Sequence, residues 1–243
     1  MALVRRAVGA VSRRLGRPEL VSAFYAGARQ LEHEALALEA VLGASLRSDS
    51  GYVDVGCNRG QVLREAVRIA PRGRHFAFEP IPALADELAR EFPTVDCRRL
   101  ALGARSETAQ FCHFTRLDGW SGLRKNPDVA DEQGAPEYIE VQVSTLDEEL
   151  AGETPTLIKI DVEGAELGVL EGARSLLMRA RPTIVFEHIA ETSRLYGAEP
   201  GAVWDLLAAL DYRIMSVMGD GPFDRTRFTS TSKVVNWLAT PDV

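Results

Sequence analysis

Several short apolar runs of this 243-residue chain end at an acid. Asp54 stands in YVDV just before the turn GCNRG, and Glu79 closes RHFAFE. Asp161 closes LIKID, and Glu187 with His188 closes TIVFEH. A carboxylate at such a place is partly desolvated, which is costly unless a ligand or a metal uses it. Carboxylates there can accept protons from hydroxyl or ammonium groups, hold a hard cation, or deprotonate an alcohol, and an imidazole can do the last as a general base. His113, within FCHFTRLDGWSGLRKN, is a second candidate base, in a polar and aromatic stretch able to fold over a site. Asp161, Glu163 and Glu166 crowd one strand end; crowded carboxylates either bind a metal or shift their proton affinities.

The turn after Asp54 narrows the ligand. Gly56 permits a tight reversal, and Gly60 lets a helix start close against the strand. The dinucleotide fingerprint needs a middle glycine so that backbone can approach a pyrophosphate. Cys57 and Asn58 occupy the middle here, which argues against NAD. A ligand with an ammonium near Asp54, a carboxylate for backbone N–H groups and a ribose for Glu79 fits better, and S-adenosylmethionine has all three. The plainer alternative makes Asp54 a helix cap and Glu79 a surface acid before Pro80 and Pro82.

These residues need a scaffold that brings strand ends together. Strand-like runs fall at 52–55, 74–79, 95–101, 157–161, 183–187, 212–217 and 233–239, with helical stretches at 60–70, 82–91, 165–179 and 201–210. Continuous apolar strands alternating with helices predict a mostly parallel, doubly wound α/β sheet covered on both faces. In such a sheet, ligands sit beyond the carboxyl ends of the strands near the switch point. Residues 107–114 and 138–143 alternate more strictly and predict a hairpin or an edge insertion before the strand at 157. Residues 19–47 show helical spacing, with Leu31, Leu38 and Leu42, or Leu20, Phe24 and Leu31, sharing faces. The chain therefore divides into a helical amino-terminal extension, 1–50, and one catalytic-sized domain, 51–243. In STLDEEL, Ser144 or Thr145 is expected to cap the short helix that carries Asp147.

Composition excludes several classes. The formal charge is −7, so no general field draws nucleic acid. Cys57, Cys97 and Cys112 form no disulfide framework, and four histidines show no zinc spacing, as expected of reduced thiols in a cytoplasmic protein. Arg5, Arg6, Arg13, Arg14 and Arg17 break the apolar stretch a signal peptide needs. No run approaches the roughly 18 apolar residues of a membrane span, which argues against stable membrane insertion; an arginine-rich helix lying on a membrane surface is the alternative to a solvated extension.

The motifs DVGCNRG, FEP followed by IP, STLDEEL, IKIDVEGAE, PTIVFEH and NWLAT occur in order over about residues 51–239. Together they resemble the FkbM-type family of S-adenosylmethionine-dependent methyltransferases. That resemblance implies a class I methyltransferase, Rossmann-like sheet of seven strands in the order 3-2-1-4-5-7-6, the last antiparallel. It also implies methyl transfer to oxygen, on a hydroxyl of a sugar or a polyketide-type secondary metabolite. Carried onto this chain, Asp54, Gly56, Asn58 and Gly60 would hold the methionine end of the cofactor, and Glu79 the ribose. Ile81 and Ala101, with Leu102, would line the adenine. Cys57 and Arg59 depart from the family's turn, where smaller residues are usual. An alcohol must be deprotonated to react, by a base or a divalent metal. Asp161, Glu187 and His188 offer both: Asp161 and Glu187 to bind metal or substrate, with Mg²⁺ the candidate ion, and His188 as base or third ligand. Asp161 as a contact behind the cofactor, and His188 as a core histidine, are the competing readings. The expected partner is a small hydroxyl-bearing acceptor, not nucleic acid, and a homo-oligomer is compatible with the sequence.

Overall fold

The computed structural model describes residues 18–125, 135–232 and 234–242. The arginine-rich start and the faces expected of Leu20, Phe24 and Leu31 lie outside what is described. Strands run at Tyr52–Val55 (β1), His75–Phe78 (β2), Asp96–Arg98 (β3), Ala101–Leu102 (β4), Glu107–His113 (β5) and Glu137–Ser144 (β6). They continue at Leu157–Ile160 (β7), Thr183–Glu187 (β8), Tyr212–Ser216 (β9) and Asn236–Pro241 (β10). Helices occupy Pro18–Ser45 (α1), Gln61–Ile69 (α2), Pro82–Glu91 (α3), Leu146–Glu149 (α4), Glu166–Glu171 (α5), Arg174–Ala180 (α6) and Ala190–Arg194 (α7), with two more towards the carboxyl end.

The main sheet has seven strands in the order β3-β2-β1-β7-β8-β10-β9. Counting only its own strands, that is 3-2-1-4-5-7-6, the order expected. Only β10 runs antiparallel, pairing Asn236 with Glu187 on one side and Trp237 with Ser216 on the other. Every residue of β1, β2 and β7 is buried, as strands covered on both faces require. Val53, Val55, Phe76, Phe78, Ile158 and Ile160 fill one face. Tyr52, Ala77 and Leu157 face the other, where Leu42 and Leu46 of α1 and Leu63 of α2 meet them. The carboxyl half of α1 is thus part of the core, and buried Glu34 fixes it further by accepting from Asn236 N and Nδ2 at 3.1 and 2.9 Å.

Two elements differ from their expected form. The run at 95–101 splits: Asp96–Arg98 stay in the main sheet, while Ala101–Leu102 pair with β6 in a small sheet ordered β4-β6-β5. The helix expected at 165–179 is interrupted at Gly172 and Ala173, and a Cβ on Gly172 would lie 2.1 Å from the Gly103 carbonyl oxygen, so only glycine lets the two segments come this close. Asp147 then caps the second piece, accepting from Ser175 N and Leu176 N at 3.0 and 2.7 Å, while Thr145 caps α4 by accepting from Glu148 N. STLDEEL is structural.

Candidate active site

At the switch point β1 lies between β2 and β7, and the chain leaves β1 through a turn of left-handed residues. Gly56, Asn58 and Gly60 have φ of 76, 47 and 67°. A Cβ on Gly56 would sit 1.9 Å from the Asp161 carbonyl oxygen, so only glycine lets β1 and β7 approach this closely. The turn directs the Asn58 N–H to Glu79 Oε2 at 2.9 Å, and Ile81 N–H donates to Glu79 Oε1 at 2.9 Å. Burial pushes the Glu79 carboxyl up to about 7 against the pull of these two N–H groups. Glu79 is therefore held rigidly at the end of β2, with lone pairs to spare on each oxygen.

Asp54 is 1% exposed and lies beneath the turn; neither carboxylate oxygen has a partner in full hydrogen-bond geometry, though the Tyr52 hydroxyl and the Leu63 N–H lie close enough to favour its charged form. Its nearest cation is buried Lys159, whose Nζ is 3.8 Å from Asp54 Oδ1 and 2.9 Å from Asp161 Oδ2. Burial pushes Asp54 upward and Lys159 draws it back only in part. For Asp161 the balance reverses: burial raises its proton affinity, but Lys159 and hydrogen bonding hold the carboxyl below the usual range.

A cavity of about 750 Å³, counting the part open to solvent, runs from Glu79 past the turn to the ends of β7 and β8. At its far end Asp161, Glu163 and Glu187 each bring a carboxylate oxygen within 4.8 Å of the others. Burial and the Asp161 charge raise Glu187 strongly. Burial, then Asp161 and Glu166, push Glu163 up to about 8. Glu163 occupies a left-handed conformation with φ 56°, which a non-glycine residue adopts only when its surroundings impose it. Among the described residues its carboxylate has no hydrogen-bond partner.

The segment after β5 closes the cavity from above. Gly122 pairs with Cys112 through 2.8 and 3.1 Å hydrogen bonds, and Tyr196 Oη accepts from Arg124 N at 3.2 Å. Asp118, Gly119, Ser121 and Gly122 line the cavity, while Trp120 between them is exposed. Arg59 of the turn reaches across to Asp118 at 2.5 Å, so the residue that departs from the family's usual turn ties that turn to the flap.

The structure gathers most of the expected residues. Gly56, Asn58, Glu79, Ile81, Ala101, Asp161 and Glu187 all line this cavity. Asp54 lies under it, and Gly60 stands behind it, where a Cβ would come within 2.7 and 2.9 Å of Leu88 and Phe92. His188 does not join Asp161 and Glu187, which corrects its expected place as metal ligand or base. Consecutive strand residues point to opposite faces, so His188 turns away from Glu187. It stacks on Phe228 at 5.1 Å, holds Nδ1 3.1 Å from Ser193 Oγ and lines a different cavity, and burial pushes it down to about 4. His113 does not line the cavity either; its Nε2 is 3.2 Å from Asp118 Oδ1, one side chain removed. Glu163 takes the third place in the acid cluster, and Lys159 and Asp118 are functional neighbours that strand-end counting passes over. The signal for Lys159 was its position in LIKID, two residues before Asp161 and so on the same side of the strand.

A 3-2-1-4-5-7-6 sheet with a glycine turn and a cavity at its switch point defines a class I methyltransferase fold. The model of the methyltransferase FkbM domain matches residues 54–214, and the chain belongs to that family. The 2-O-methyltransferase NoeI of Sinorhizobium fredii is 28% identical over 182 residues, spanning 68% of this chain and 74% of that protein. Methyltransferase sdnD of Sordaria araneosa is 29% identical over 161 residues, spanning 53% and 62%. The crystal structure of methyltransferase FkbM from Methylobacillus flagellatus is alike in fold, with a TM-score of 0.50 at 18% identity over 80% of this chain and 44% of that one. The chain thus spans less than half of that crystallised protein and less than two thirds of sdnD. Among the described residues no helix is long and apolar enough to cross a membrane.

Proposed function

We propose that this chain is an S-adenosylmethionine-dependent O-methyltransferase whose acceptor is a hydroxyl of a small molecule, a sugar or a polyketide-type metabolite. One observation carries the proposal: a single cavity joins Glu79, the Gly56–Asn58 turn and the carboxyl cluster of Asp161, Glu163 and Glu187. The residues fit that cofactor. Glu79, fixed by two backbone N–H groups, can accept from a ribose diol, and Ile81, Ala101, Leu102 and Phe111 offer apolar surface for a flat base. The unpartnered oxygens of Asp54 favour positive charge above them, and left-handed turns of this kind present N–H groups to a carboxylate. When bound, the cofactor supplies a methyl group on a sulfonium that leaves readily.

The chain must then hold an oxygen in line and remove its proton. Holding it alone contributes about 7–11 kcal/mol at best. Of the clustered carboxyls, Asp161 is engaged by Lys159, so Glu163 is the group placed to take the proton, with a proton affinity suited to neutral pH. The same lysine ammonium, 2.9 Å from Asp161, opposes a divalent cation, which favours the metal-free reading over Mg²⁺. The similarity to NoeI, a 2-O-methyltransferase, supports oxygen as the atom methylated. Calorimetric titration of S-adenosylhomocysteine, with and without Mg²⁺, tests the proposal. Micromolar binding is expected, weakened about tenfold or more in Glu79→Ala and Asp54→Ala, the loss of a charge-assisted hydrogen-bonding group. No binding under either condition sinks it.

A further inference from the structure

We infer that the cavity selects its ligands by charge, and that its acceptor is an uncharged or amine-bearing polyhydroxyl compound rather than one carrying phosphate or carboxylate. The inference rests on the cofactor reading above. Five acids, Glu79, Asp118, Asp161, Glu163 and Glu187, line the cavity, and no lysine or arginine does among the described residues. Lys159 reaches Asp161 from below, and Arg59 reaches Asp118 from the rim. Glu79, Glu163 and Glu187 have no ion pair among the described residues. A second observation points the same way. Behind the cluster Glu166 Oε2 is buried without a hydrogen-bond partner, and beneath the turn the two oxygens of Asp54 are buried with none in full hydrogen-bond geometry, the Tyr52 hydroxyl and the Leu63 N–H being their nearest donors. The unfilled groups around the cavity are thus acceptors, and they suit ligands that bring donors or positive charge.

The acid end also lies where a ligand's charge would differ most. Asp161 N donates to Val55 O at 3.0 Å, and a Cβ on Gly56 would lie 1.9 Å from the Asp161 carbonyl oxygen, so the cluster sits directly beside the glycine turn. A nucleoside anchored at Glu79 would present its 5′ substituent to these carboxyls. A positive substituent gains there by drawing Glu163 and Glu187, whose proton affinities are raised, into their ionised forms, whereas an anionic one opposes that ionisation and meets like charge from whichever carboxyls are already ionised. An acceptor brought to the same end is under the same rule. The three clustered carboxyls can instead take hydroxyl protons from a neutral polyol.

The test is a charge series on one anchor: 5′-amino-5′-deoxyadenosine, adenosine and adenosine 5′-monophosphate, titrated calorimetrically beside S-adenosylhomocysteine, in EDTA and again in Mg²⁺. Affinity should fall in that order, by roughly tenfold per step, as unit charges a few ångströms apart predict at partial screening. The double variant Glu163→Gln/Glu187→Gln should compress the series. Should that variant fail to fold, raising the salt from low to about 0.5 M on wild type should compress it equally. Monophosphate binding equal to or tighter than adenosine overturns the inference, as does monophosphate binding restored by Mg²⁺, which would mark the cluster as a metal site. Failure of S-adenosylhomocysteine itself to bind is a separate result, and it defeats the cofactor reading. In parallel, methyl transfer is measured on glycans matched in skeleton, neutral, amino-bearing, carboxylated and phosphorylated. Turnover confined to the first two supports the inference; equal turnover on the anionic members overturns it.

Discussion

At the residue scale, Glu163 is held by its backbone rather than by side-chain partners. A left-handed φ of 56°, followed by Gly164 at 103°, turns its carboxyl towards the cavity under Gly122. A base must be deprotonated to act, so turnover should rise as pH passes about 8 and then level off. Glu163→Gln should lower turnover by about 10²- to 10⁴-fold, the usual contribution of acid–base catalysis, while S-adenosylhomocysteine affinity changes far less. A loss confined to KM would instead mark Glu163 as an acceptor-binding group. His188→Ala should leave cofactor-product affinity unchanged, because His188 faces another cavity. Sequence reading found Asp54, Glu79, Asp161 and Glu187 because each ends an apolar run. It misplaced His188 by grouping it with Glu187, although neighbours along a strand face opposite sides. It placed Glu163 in the acid cluster with Asp161 and Glu166 but could not single it out, because a left-handed backbone leaves no mark in residue type.

At the element scale, function depends on two close approaches. The first is β1 against β7 at Gly56. Gly56→Ala adds a methyl 1.9 Å from the Asp161 carbonyl at a φ of 76°, so the turn must shift. Loss of S-adenosylhomocysteine binding is expected in calorimetry, together with a lower melting temperature. The second approach is the flap over the turn, joined by Arg59 and Asp118. An exposed ion pair of this kind contributes about 0.2–1 kcal/mol, so Arg59→Ala should barely change global stability. It should speed tryptic cleavage at exposed Arg116 or Arg124 by roughly 2- to 5-fold, the same free energy read as local opening. Unchanged cleavage would mean that the Cys112–Gly122 pairing and Tyr196 hold the flap without Arg59. The sheet was legible because its strands are short, wholly apolar and separated by helices. The stretch around Asp118 was legible as one able to fold over a site, but what fastens it there was not, because that rests on single contacts between residues distant in sequence, such as Arg124 with Tyr196.

At the scale of the whole molecule, the two-sided core carries a group of acids that folding holds away from water. Burial pushes Glu79 and Glu166 up to about 7 and Glu163 to about 8, and Glu187 is raised further. Each binds its proton more tightly folded than unfolded, where a glutamate titrates near about 4.3. Between those values the native state holds more protons than the unfolded chain, so stability falls as pH rises. Buried His188 and His75 act oppositely, their proton affinities being lowered, but their contribution is complete once pH exceeds the ordinary histidine value of about 6.5. From there to about pH 8.5 the acids are unopposed. The melting temperature of the ligand-free protein should therefore fall across that window, by about 5 °C if one to two kcal/mol is lost. Glu166→Gln isolates the cause. Its Oε1 accepts from Val162 N and Gly164 N at 3.2 and 3.1 Å, which the amide oxygen can still do, while unpartnered Oε2 loses its charge. That variant should melt higher than wild type at pH 8.5 and nearly equally at pH 6, giving a flatter curve. A wild-type melting temperature that is level or rising from pH 6.5 to 8.5 would show that these carboxyls are better solvated than their burial implies, and would remove the reason for expecting Glu163 to act as a base near neutral pH.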